Sequence, residues 1–208
     1  MEFAGFKFLL STMISLFVIV DPLGSSSVFA TLTKDMTAQQ QKRIAWKAVT
    51  MSILLLITFG FVGQAILSYM HISLNAFKVA GGMLLFVAAF RMIMGFHDPE
   101  QLTSEKSAYK DVSNIALFPI SIPLLAGPGV LTTTLLFTTE ANHFLDYGVL
   151  IFSIVSIQFT ALACMLGAGK LARIFGQSGI GIIARIMGIL LAALAVQFVV
   201  DGIKAMVF

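Results

Sequence analysis

The chain has 208 residues, of which 58% are hydrophobic and 11% charged, with a formal net charge of +3 and a mean hydropathy of +0.97. Soluble domains carry charge on about a quarter of their residues, so this composition excludes a water-covered globule. The small positive excess gives no reason to invoke nucleic acid, because basic residues in a membrane protein chiefly set orientation.

Six apolar runs follow one another along the chain: Phe6 to Ala30, Ala45 to Met70, Leu74 to Met94, Ile115 to Thr138, Leu145 to Met165 and Ile180 to Val200. Each is about 20 residues or longer, enough to cross about 30 Å of hydrocarbon as a helix. The first begins MEFAGFKFLL and lacks a small-x-small cleavage site after a short apolar core. It therefore reads as a retained span rather than a signal peptide. It is interrupted by VDPLGSSSVF, residues 20 to 29. The third run contains AGG at 80 to 82, suited to close helix packing with Gly188 opposite. The longest polar stretch, His97 to Asp111, reads as a loop. The fourth run is interrupted by AGPGVLTTT at 126 to 134, and the fifth holds the sole cysteine, Cys164, which can form no internal disulfide. The expected fold is all-α: a single integral membrane domain over 1–208 with six transmembrane helices, of which helices 1 and 4 are broken.

Lys34, Lys42, Arg43, Lys47, Arg91, Lys106, Lys110, Lys170, Arg173 and Arg185 flank the first, third and fifth connections. Only Lys7, Lys78 and Lys204 lie on the opposite side. The basic side is expected to be cytoplasmic, with both termini outside. Lys78 and Arg185, at matched helix starts, are expected to snorkel to the interface, and Asp201 to be solvated. Asn114, Gln158 and Gln197 read as helix-bridging groups or cavity-lining ones. His71, His97 and His143 are scattered and form no metal set.

The two halves resemble each other. FKVAGGMLLFVAAFRMIMG at 77 to 95 aligns without gaps on ARIMGILLAALAVQFVVDG at 184 to 202, an offset of 107. Lys78 then matches Arg185, Gly81 matches Gly188 and Gly95 matches Gly202. Pro22 corresponds to Pro128 at an offset of 106, which sets Ser25, Ser26 and Ser27 on Leu131, Thr132 and Thr133. Three spans per half is an odd number, so the second half must enter from the opposite side. The prediction is a 3+3 inverted-topology repeat: repeat one at about 1–95, a cytoplasmic linker at about 96–111, and repeat two at about 112–208.

Irregular backbone survives in hydrocarbon only where protein buries it or a wet cavity adjoins it. Proline removes a donor and clashes with the preceding turn, and glycine permits unwound conformations. Two such breaks at corresponding positions are the best sequence pointer to a transporter's binding site. A restarted helix offers unpaired N–H groups and a positive dipole end, suited to a substrate carboxylate. The candidate substrate-binding residues are Asp21, Pro22, Gly24, Ser25, Ser26 and Ser27 at the first break. At the second they are Gly127, Pro128, Gly129, Thr132, Thr133 and Thr134. The hydroxyls donate or accept. Asp21 meets an ammonium group, carries a proton, or caps the half-helix that follows; these roles can coexist. The bland alternative is a pair of kinks whose Ser and Thr bond back to their own helices.

VDPLGSSSVFATLTKDM, ISLNAFKVAGGMLLF and PISIPLLAGPGVLTTTLL resemble the MarC family of integral membrane proteins, also grouped as neutral amino acid transporters. The resemblance runs from about Phe8 to Ile203. It implies six spans in the cytoplasmic membrane of a prokaryote, and transport of small neutral amino acids such as glycine and alanine. Many members resemble DPxGNxPxF, where this chain has Ser25 and Ser27 in place of the Asn and Pro. Some have Asn where Asp21 stands.

The leading expectation is a secondary transporter working by alternating access. The runner-up is an exporter of drugs or other metabolites on the same scaffold. No nucleotide-binding motif is present, so the drive would come from an H+ or Na+ gradient or from exchange, with no cofactor. The spans hold serines but no histidine, and neither HExxH nor GxSxG, which argues against an intramembrane hydrolase. The sequence leaves oligomeric state open.

Overall fold

A computed structural model of the protein describes residues 2–95, 116–141 and 143–207. Every regular element among them is helical: α1 (Glu2–Val20), α2 (Pro22–Leu32), α3 (Ala38–Tyr69), α4 (Leu74–Met94), α5 (Ala116–Leu125), α6 (Pro128–Glu140), α7 (Phe144–Leu166) and α8 (Ala168–Val207). Among the described residues, five stretches are long and apolar enough to cross a membrane: Phe6–Leu32, Ala38–Tyr69, Leu74–Met94, Phe144–Leu166 and Gly181–Val207. They correspond to expected runs one, two, three, five and six. The expected fourth run is divided between α5 and α6, each too short to cross alone at about 1.5 Å per residue. α5 is wound as a π-helix, and the Ala126 N–H donates to the Ser121 carbonyl, five residues back, at 2.9 Å. The expected linker at 96–111 lies outside the described residues, as do His97 and Asn114.

Polar caps set the helix ends. Thr37 and Gln40 form a reciprocal capping box on α3, and the Ser73 hydroxyl accepts the Ala76 N–H at 3.1 Å at the start of α4. α4 stops at Gly95, whose φ of 74° continues no right-handed helix. The segment between runs five and six is not a plain loop. Helix resumes at Ala168 and is bent at Gly176, where φ is 64° and ψ 172°.

α4 and α8 make the most extensive helix pair. A β-carbon at Gly82 would lie 2.8 Å from the Ala195 carbonyl oxygen. One at Gly188 would meet Met92 and Ala89, and one at Gly202 would meet Val79 and Asn75. Rising numbers on α4 meet falling numbers on α8, so the two run antiparallel, in backbone contact through their glycines. The same seam brings Lys78 and Asp201 together. Lys78 Nζ lies 3.8 Å from Asp201 Oδ2 and over the Phe198 ring. Gln197 Nε2 donates to Asp201 Oδ1 at 2.7 Å. The pair joins the two helices, and the Asp201 side chain remains 38% exposed.

Two apolar clusters organise the interior. The larger joins α1, α2, α3, α5, α6 and α7 through residues such as Leu16, Phe29, Ile44, Leu125 and Ile157. The smaller joins α1, α4 and α8 through Val18, Leu85, Ala89, Leu191 and Ala195. Successive faces of α1 therefore point into different clusters, and the seam between them passes the end of α1. Large apolar side chains such as Phe86, Val87 and Phe90 stay exposed, as a lipid-facing surface requires.

Candidate functional site

The end of α1 is a worked-out interruption. Asp21 takes a left-handed conformation (φ 43°, ψ 73°), which Asp tolerates better than most residues. Pro22 follows at the first helical position of α2, where its missing N–H costs nothing. Asp21 Oδ1 accepts the Gly24 N–H at 3.2 Å. The Ser25 hydroxyl donates to the Val20 carbonyl at 2.9 Å, satisfying the last turn of α1. The N-cap role foreseen for Asp21 is thus present, and the residue is 8% exposed. A β-carbon at Gly24 would collide with Asp21 Oδ2. Glycine is needed there because the carboxylate folds over it.

The second interruption is built differently. α5 ends at Leu125, and Gly127 is the N-cap of α6 in extended conformation, with no side-chain cap. Pro128 again holds the first helical position, and the first backbone bond runs from the Leu131 N–H to the Gly127 carbonyl at 3.0 Å. The Leu125 carbonyl, lost to the helix ladder, accepts Gln158 Nε2 from α7 at 3.0 Å. Gln158 is fully buried, and of the roles foreseen for it bridging is the one found. The first break is closed by its own carboxylate, whereas the N-terminus of α6 is uncapped.

Both interruptions line one cavity of about 380 Å³. Asp21, Gly24 and Ser25 come from the first; Gly127, Pro128 and Gly129 come from the second. The volume falls at the small end of the range for small-molecule sites. The walls are mostly apolar, among them Ile19, Leu85, Ala88 and Met92, and α4 adds one charged group, Arg91. Sequence reasoning missed Arg91 because it counted as an orientation charge. The usable signal was its register: Leu84, Leu85, Ala88, Arg91 and Met92 share one face of α4, and all line the cavity.

The other expected residues lie behind this wall. Pro22 is buried in the first turn of α2. The Ser26 hydroxyl donates to the Leu23 carbonyl at 2.7 Å, and the Ser27 carbonyl accepts the Thr31 hydroxyl at 3.0 Å. The Thr132 hydroxyl donates to the Pro128 carbonyl at 2.9 Å while its side chain presses on Gly81 of α4. Thr134 packs its methyl against Gly60 of α3. The hydroxyls of Thr133 and Thr134 are buried and find no partner among the described residues. Three of the four hydroxyls named with partners here or at the first break bond back into their own helix, and the Ser25 hydroxyl, on the cavity wall, bonds to the end of α1. Among the described residues no group of three or more His, Cys, Asp or Glu is placed to hold a metal.

Comparison with known proteins places these features in context. The profile for "MarC family integral membrane protein" matches residues 6–207. A UPF0056 membrane protein of Methanocaldococcus jannaschii is 37% identical over 91% of this chain and 93% of its own. One from Aquifex aeolicus is 36% identical over 98% and 95%, and one from Archaeoglobus fulgidus is 31% identical over 98% and 96%. No solved structure matches the chain.

Proposed function

Because this chain belongs to the MarC family of integral membrane proteins, we propose that it is a secondary transporter of small neutral amino acids, of glycine or alanine size. The observation that carries this reading is the shared cavity: two interruptions about a hundred residues apart in sequence line the same small space. The chemistry on its walls suits a zwitterion. The uncapped N-terminus of α6 offers N–H groups and a positive dipole end to a carboxylate. Asp21 offers a negative charge to an ammonium group.

Alternating access in this reading rests on a 3+3 inverted repeat, with α1–α2, α3 and α4 in one half and α5–α6, α7 and α8 in the other. The α4–α8 seam supports it. At an offset of 107, Gly82 against Ala195 implies a counterpart contact between positions 189 and 88, and Gly188 packs against Ala89. The working location is the cytoplasmic membrane with both termini outside, and an H+ or Na+ gradient or exchange drives transport. Lipid is the surrounding solvent, and the amino acid is the partner.

The test is flux. Purified protein in liposomes should take up labelled glycine or alanine with saturation, and the unlabelled amino acid should compete. Saturable movement of a lipophilic drug with no amino acid flux would favour the exporter.

A further inference from the structure

We infer that Arg91 determines specificity for the substrate's carboxylate, its guanidinium facing the cavity as the counterpart of Asp21. This rests on the transport reading above and adds a residue to it. Three observations carry it. Arg91 lines the cavity together with Asp21, and these are its two charged lining residues. It shares the cavity face of α4 with Leu84, Leu85, Ala88 and Met92; Arg91 and Leu84 are exposed at the open side of that face. The ion pair found across the α4–α8 seam is that of Lys78 with Asp201, and Arg91 takes no part in it.

An arginine needed only for orientation would serve equally well with its guanidinium extended toward the headgroups, away from the cavity. Arg185 fits that description better: it lies at the same end of the α4–α8 seam, against Gly95, and is not on the cavity wall. Arg91 carries a planar fork of donors matched to a carboxylate, and the residue lines the wall to which Asp21 adds the opposite sign. An α-amino acid placed between them has its ammonium toward Asp21 and its carboxylate toward Arg91 and the α6 N-terminus. The repeat does not supply a second such pair. The positions equivalent to Asp21 and Arg91 in the other half are Gly127 and Phe198, so the two halves are chemically unequal and the substrate has one orientation.

The experiment compares wild type with Arg91→Gln, Arg91→Lys and the control Arg185→Gln in liposomes and by thermal shift in detergent. The probes are glycine, its amide, which lacks the carboxylate charge, and propionate, which lacks the amine. In Arg91→Gln the half-saturating glycine concentration should rise about ten- to a hundredfold, as for loss of a charge-assisted bond. Its preference for glycine over the amide should collapse, with partial recovery in Arg91→Lys and none of this in Arg185→Gln. An unchanged glycine-to-amide ratio in folded Arg91→Gln and Arg91→Lys overturns the assignment. If wild type moves no amino acid, the transport reading fails by itself. Arg91-dependent propionate binding would then still support carboxylate recognition, and its absence would overturn that too.

Discussion

The Asp21 carboxylate lies folded over Gly24: one oxygen accepts the Gly24 N–H at 3.2 Å and the other fills the space a β-carbon at 24 would occupy. Capping and charge at this position can therefore be separated. Asn caps a helix as well as Asp and tolerates the left-handed conformation. Asp21→Asn should keep thermal stability within about 0.5 kcal/mol of wild type while impairing amino acid flux. Asp21→Ala should lose about 1–3 kcal/mol, combining the lost cap with left-handed strain. Gly24→Ala should behave like Asp21→Ala, because it displaces the carboxylate. Thermal melts in detergent beside liposome flux check all three, and full flux in Asp21→Asn would remove the ammonium-binding role.

The Gln158–Leu125 bond makes a second prediction. Gln158 is buried, and its amide is the described partner of a carbonyl that the end of α5 cannot use. Gln158→Leu keeps volume and removes a buried Oε1 that has no partner among the described residues, but it leaves that carbonyl bare, so it should destabilise by a net of about 1 kcal/mol. Denaturation in detergent should show the loss, and flux should fall as α6 shifts. A melt unchanged from wild type would mean the carbonyl finds water or another donor.

Thr133 allows the opposite forecast. Its hydroxyl is buried and unpartnered among the described residues, and it is not on the cavity wall. Thr133→Val is nearly isosteric and removes a polar atom that burial penalises. Stability should be equal or higher by up to about 1 kcal/mol, with amino acid uptake retained. Loss of uptake without loss of stability would return Thr133 to the binding site.

These contrasts show what could be read from the chain. Hydropathy and length named six crossing runs, because a bilayer imposes a simple length rule, and five of them are single stretches long and apolar enough to cross among the described residues. The chain also marks where α2 and α6 begin, at Pro22 and Pro128, since DPLG and GPG interrupt the preceding helix. Which side chains face the cavity was not. That depends on helix register around the breaks: Ser25 turns toward the space while Ser26 bonds back to Leu23. The winding of α5 as a π-helix left no trace in its apolar sequence, and a π turn rotates every following side chain relative to an α-helical reading. Arg91 was visible only as a charge count, and the Lys78–Asp201 pair required knowing that α4 and α8 touch. Glycine gave the best return. AGG at 80–82 pointed to close packing, which both glycines show, Gly82 against Ala195 of α8 and Gly81 against Thr132 of α6, although Gly188, expected opposite them, packs on Ala89 and Met92 instead.

The last prediction concerns substrate size. A β-carbon at Gly129 would collide with the side chain of Leu85 and come within 3.5 Å of Ile19, and all three residues line the cavity. Leu85 is 3% exposed and belongs to the cluster joining α1, α4 and α8, so it cannot retreat without repacking that cluster. The second break and this leucine therefore set the cavity width together. Gly129→Ala should push Leu85 or α6 aside and reduce uptake, of alanine more than of glycine. Leu85→Val removes one methylene at a cost of about 0.5–1.5 kcal/mol, by analogy with Ile→Val in other cores. It should shift preference toward larger neutral side chains, with a modest factor of about 10, since a methylene of pocket space discriminates weakly. Competition of leucine and valine against labelled alanine reads this directly. A Leu85→Val protein that stays folded and keeps the wild-type ranking of side chains would place the size filter elsewhere on the cavity wall.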